Sequence, residues 1–156
     1  MYKSQAEAVR EWLNAYRRDE DSIDEQLEEI RALRSRIMSI GAQEISDMPK
    51  APSRAGDELA EYVIRLEALD ARLSERMLMH ERDRRAILDL IQKLKSRDER
   101  EIIKQRYLFA LEWPEVMTAV YKYEEDFKAK PEAYRRKMFR AHEKALGEMG
   151  KLWGVK

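Results

Sequence analysis

SRDEREIIKQRYLFALEWPEVMTAVYKYEEDFKAKPEAYRRKMFRAHEKALGEM, residues 96–149, is the stretch on which the fold turns. Ser96 followed by Glu99 forms a capping box, which starts a new helix there instead of prolonging the preceding one. Ile102, Ile103, Tyr107 and Leu108 supply its buried side, as far as about Ala110. Pro114 sits where a first helical position belongs, and Trp113, Val116, Met117 and Val120 form the apolar side of a short helix behind it. Pro131 marks another start. Tyr134, Met138, Ala141, Ala145, Leu146 and Met149 face inward on a last helix from about Glu132 to Glu148, which Gly147 and Gly150 are expected to end.

Upstream, the pattern changes to long stripes. Val9, Leu13, Tyr16, Ile23, Leu27, Ile30 and Ile37 follow steps of three and four, interrupted by Glu20 and Arg34. Leu59, Tyr62, Leu66, Leu69, Leu73, His80, Ile87, Leu90 and Leu94 do the same, interrupted by Arg76 and Asp83. Such spacing draws one narrow apolar seam along each helix, as in a coiled coil. Gly41, Pro49, Pro52 and Gly56 punctuate the chain between the seams, so residues 41–56 read as a loop. The expectation is an all-α chain. A long antiparallel helical hairpin occupies 1–95, three shorter helices occupy 96–150, and 151–156 form a tail.

Composition agrees. Of the 156 residues, 40% are charged and only 5 are Gly and 4 Pro, a balance that favours long solvated helices. Without cysteine there is neither a disulfide nor a thiolate metal site. No apolar run approaches the ~20 residues of a membrane span, and the first residues lack a signal-peptide core, so a cytoplasmic protein of a bacterial host is expected. The zero net charge hides an asymmetry: residues 1–94 carry 16 Lys/Arg against 20 Asp/Glu, and residues 95–156 carry 15 against 11. A basic end behind an acidic helical segment points toward a polyanion.

Three short helices ending in a basic one match a helix-turn-helix, whose last helix enters the major groove of DNA. That helix carries Arg135, Arg136, Lys137, Arg140 and Lys144, with Arg136 and Arg140 one turn apart. A guanidinium can pair with both acceptors of guanine or clamp a phosphate. Read alone, the same helix is equally a solvated basic face.

The order of residues here resembles the promoter-reading C-terminal domain of bacterial sigma factors. The similar features are Leu94, Ser96 to Ile103, Gln105-Arg106-Tyr107, Trp113-Pro114-Glu115-Val116, and Tyr134 through Leu146. The chain departs from that family at Tyr121–Lys130, about seven residues longer than the usual turn and carrying Glu124, Glu125 and Asp126. As a whole it is similar to phage and prophage regulators of Gram-positive bacteria, of the ArpU and RinA type. Tyr16, Ile30, Leu33 and Ile37, the Ser46-Asp47-Met48-Pro49 segment, and Leu66 with Leu69 carry that likeness. The resemblance implies a regulator that activates late phage genes on double-stranded promoter DNA. RNA polymerase or a second copy would be the partner of the hairpin. Carried over by position, the DNA contacts would be Lys130, Glu132, Arg135, Arg136 and Arg140, with Glu132 accepting from a cytosine amino group and Lys130 holding phosphate. Trp113 reads as a core aromatic before it reads as a phosphate contact.

No enzyme site emerges. Phosphate-binding glycine loops, nucleophile elbows and Cys/His pairs are missing, and no cofactor is implied. His80 and His142 stand far apart, and His80 lacks converging ligands, so it reads as a seam residue and no metal is expected. The eight Met residues read as core filler. The competing function is a structural or adaptor coiled-coil protein whose C-terminal helices only pack.

Overall fold

The computed structural model describes residues 4–44 and 54–153, all-helical with no strand among them. Helix α1 runs Gln5–Glu44, α2 Arg54–Gln92, α3 Arg97–Ile103, α4 Trp113–Tyr121 and α5 Pro131–Trp153. A single π-helical turn, Lys104–Leu108, extends α3. No described helix is long and apolar enough to cross a membrane.

The chain divides into two compact units, one of residues 1–20 and 81–156, the other of residues 21–80. The division therefore falls elsewhere than at 95/96. The physical reason is the larger unit's main core. It joins Val9, Leu13 and Tyr16 of α1 and Ile87, Leu90 and Ile91 of α2 to Ile103, Tyr107, Ala145, Leu146 and Met149. Each large side chain buried there contributes about 1.5–3 kcal/mol, enough to bind the first turns of the chain to its last helix. Glycine permits one of these contacts. A Cβ at Gly150 would lie 3.0 Å from both the Ala6 nitrogen and the Gln5 carbonyl carbon, so the bare backbone lets the start of α1 pack directly on α5.

Three boundary expectations are corrected. The loop expected at 41–56 does not begin at Gly41 or end at Gly56, which lie inside α1 and α2; residues 45–53, with Ser46 to Pro49 and Pro52, lie outside the described residues. Gly147 and Gly150 do not end α5, which continues to Trp153. Nor do residues 151–153 form a tail: Trp153 stacks on Trp12 with ring centroids 5.0 Å apart. A glycine costs a helix only about 1 kcal/mol, less than the burial of Met149 and Trp153 beyond it recovers.

The two late glycines should respond oppositely to substitution. Nothing lies within 4 Å of a Cβ at Gly147, so Gly147→Ala is expected to raise stability by about 0.5–1 kcal/mol. Gly150→Val drives its side chain into α1 backbone and is expected to lower it by about 2–3 kcal/mol. Urea unfolding of the two variants checks both signs.

In the smaller unit, Ile23, Ile30 and Leu73 form the core, with Leu27, Leu66 and Leu69 packed against it. Ion pairs flank that core: Glu29 with Arg65 at 3.3 Å, Arg34 with Asp70 at 3.4 Å and Arg36 with Glu58 at 3.5 Å. Later residues of α1 thus meet earlier residues of α2. The seam of α1 drifts by one position after Ile30, so Leu33 and Ile40 are buried and Ile37 only half-buried. Arg34, which interrupted the expected stripe, is thereby turned out to Asp70.

Candidate nucleic-acid interface

Helix α3 begins with half of the expected capping box, its Ser96 N-cap bond formed while the Glu99 carboxylate turns to Lys144. The Ser96 hydroxyl accepts from the Glu99 N–H at 3.4 Å, and the Arg100 guanidinium donates to the Leu94 carbonyl at 2.7 Å, closing the end of the preceding segment. Glu99 is itself buried and faces the Lys144 ammonium of α5 at 3.8 Å. A second core then ties the last three helices together: Ile102 from α3, Val116, Val120 and Tyr121 from α4, and Met138 from α5. Trp113 packs against this core, half-buried, with Phe139 at 5.0 Å and His142 at 4.8 Å between ring centroids.

The connection from the π turn to α4 is held by a charge cluster. Arg17 donates to the Ala110 carbonyl at 3.2 Å and to the Glu112 carboxylate at 2.9 Å. Arg106 donates to the Leu111 carbonyl at 3.1 Å, lies 3.6 Å from the other Glu112 oxygen, and covers the Trp113 ring at 4.4 Å. Its hydrogen bond from Arg17 holds the Glu112 carboxyl below the usual range, whereas burial, then repulsion from Arg17, lowers the Arg106 pKa. Between these anchors Ala110 adopts φ 57°, a left-handed conformation that costs a residue with a Cβ about 1–2 kcal/mol. Ala110→Gly is expected to stabilise the protein by about 0.5–1 kcal/mol after the added freedom of the unfolded chain is subtracted, raising its melting temperature.

Below α5 lies a buried pair that sequence reading missed. The Tyr107 hydroxyl and His142 Nε2 share a hydrogen bond of 2.7 Å. Burial pushes Tyr107 up to about 12, and burial together with the charges of Arg10 and Arg106 brings His142 down to about 4. Glu143, 3.7 Å from His142 Nδ1, is engaged by Arg10, which leaves the ring neutral. His142 did have a signal in the sequence, since 138, 142, 145 and 149 follow helical steps. The Arg17–Glu112 pair had none, its partners standing 95 residues apart.

The five residues expected to contact DNA are all exposed, and they fall at the start of α5 and just before it. Lys130 closes the preceding turn with its N–H on the Asp126 carbonyl at 3.0 Å, and its ammonium lies 3.9 Å from that carboxylate. Glu132 occupies the first turn, where its charge favours the positive end of the helix dipole. Arg136 and Arg140 lean back along the helix, their Nε groups 3.4 and 3.5 Å from the carbonyls four residues earlier. With Ala133 and Phe139 they line a shallow recess. Arg135 lies over the Phe139 ring at 5.7 Å. Among the described residues, no carboxylate pairs with Arg135, Arg136 or Arg140. Lys137 and Lys144 differ: they face Asp98 and Glu99 of α3.

The acidic insert between α4 and α5 folds as successive tight turns, with Glu124 N–H on the Tyr121 carbonyl and Phe127 N–H on the Glu124 carbonyl. Phe127 packs on the Tyr134 ring, and the Tyr134 hydroxyl donates to the Asp126 carboxylate. That bond raises Tyr134 to about 12 and lowers Asp126. Tyr134 and Arg136 point about 160° apart around the helix, so the insert is anchored on the flank away from the arginines. Among the described residues, no group of three or more His, Asp or Glu is placed to hold a metal. No family model matches the chain, nor does any curated protein or solved structure.

Proposed function

We propose that this protein is a transcription regulator of the phage type, binding double-stranded promoter DNA through a sigma-like helix-turn-helix formed by α4 and α5. The observation that carries this reading is the trio Arg135, Arg136 and Arg140, exposed on one end of α5 and free of carboxylate partners among the described residues. A guanidinium already paired with a carboxylate would have to exchange that partner for a phosphate; among the described residues these three have no carboxylate to exchange. Lys130 and the N-terminus of α5 would hold phosphate, and Glu132 would read a cytosine amino group. Binding is phosphate neutralisation plus a few base contacts, with no chemistry performed. The seams and ion pairs of residues 21–80 support a helical hairpin, which in this reading engages RNA polymerase or a second copy of the chain.

Selection from a pool of random duplexes tests the proposal. A recurring motif should emerge, bound below micromolar Kd near 0.1 M salt and weakening steeply as salt rises. Failure to retain any duplex at low salt would refute the DNA reading.

A further inference from the structure

The recess on the arginine face of α5 is lined by Ala133, Arg136, Phe139 and Arg140, so apolar side chains share it with charged ones. Both arginines lay their stems along the helix, Nε turned to the carbonyls four residues earlier, which adds methylene surface to its walls. Its aromatic side is held in place. Phe139 is half-buried, its ring set edge-on against Trp113 at 5.0 Å and covered by Arg135 at 5.7 Å. Ala133 is exposed and small, so the approach to that ring stays open.

The surrounding charge selects the occupant. Arg135, Arg136 and Arg140 pair with no carboxylate among the described residues. Two carboxylates share this flank of α5 by helical spacing, Glu132 and Glu143. Glu143 is engaged by Arg10, which leaves Glu132 against three guanidiniums. A phosphate needs the guanidiniums but gains nothing from the aromatic edge between them. In the major groove, base edges offer one apolar group, the C5-methyl of thymine. We infer that the recess seats a thymine methyl against Phe139, with Arg136 and Arg140 on the phosphates or the guanine beside it. This assignment rests on the DNA reading of α4 and α5, and adds to it a base preference that charge alone does not supply.

Removing one methyl group tests it. In a duplex selected by the full-length protein, each thymine is replaced in turn by uracil, which pairs alike and lacks only that group. At one thymine of the site, affinity should fall about three- to fivefold, the worth of one buried methyl. At the same place, 5-methylcytosine should bind more tightly than cytosine by a similar factor. Phe139→Ala should bring the thymine-to-uracil ratio close to one. Ala133→Gln should do the same by filling the recess from an exposed position, without touching the core. The ratio is independent of the fraction of each variant that folds. Thymines that all tolerate uracil, or a ratio unchanged in both variants, would overturn the recess while leaving the DNA reading in place. Failure to bind any duplex would overturn both.

Discussion

Replacing Arg135, Arg136 and Arg140 together by alanine is expected to weaken binding to a selected duplex by at least about 100-fold, at about 1–3 kcal/mol for each lost contact. Stability should hardly change, because all three side chains are exposed and pair with no carboxylate among the described residues. The salt dependence should become shallower by about 0.9 in log–log slope for every phosphate contact removed. Lys137→Ala with Lys144→Ala provides the contrast. Those ammoniums face Asp98 and Glu99, so their loss should leave affinity within a few fold. Anisotropy titrations of both variants at two salt concentrations, with urea unfolding alongside, separate the two roles. Equal losses of affinity in the two variants would mean that general basicity, and not the start of α5, carries the interaction.

The second large effect lies beneath the same helix. His142 is buried between Tyr107 and Trp113, with Arg10, Arg106 and Glu143 around it, and its pKa falls from 6.5 to about 4. The folded state therefore favours the neutral ring, while the unfolded chain takes up a proton near pH 6.5. Stability from this group is fully present above about 6.5 and is lost progressively as the pH falls to about 4, for a total of about 3 kcal/mol. His142→Gln is expected to be somewhat less stable at pH 7, having lost the ring contact with Trp113. Its acid slope should nevertheless be shallower, so the two proteins converge or cross near pH 4. Urea unfolding at half-unit pH intervals reads this directly. Parallel curves for the two proteins would show that His142 does not carry the linkage.

Helical periodicity made much of this molecule legible. Ile102, Ile103, Val116, Val120, Met138, Leu146 and Met149 were placed inside by their spacing alone, and they are buried. Spacing works there because a helix must turn one side inward whatever it packs against. Punctuation served less well. Gly41, Gly56, Gly147 and Gly150 look like helix ends, yet the helices continue through them, and at Gly147 and Gly150 the burial of Met149 and the Trp12–Trp153 stack outweigh the small propensity cost. Gly150 is explained only by the backbone of Gln5 and Ala6, residues at the other end of the chain. The left-handed Ala110 is likewise held from afar, by Arg17 on its carbonyl and by Arg17 and Arg106 converging on Glu112, which no local pattern announces. At the candidate interface the residue types were readable, but which cations were free was not. Lys137 and Arg136 are neighbours in sequence, and only the fold shows that one faces Asp98 while the other pairs with no carboxylate among the described residues.

The most direct test of the central claim is an amide NMR titration of the isotopically labelled protein with a selected duplex. The account predicts shift changes concentrated on residues 130–140 and the start of α4, with residues 21–80 nearly unmoved. Changes that leave 130–140 untouched while the duplex is bound would contradict it.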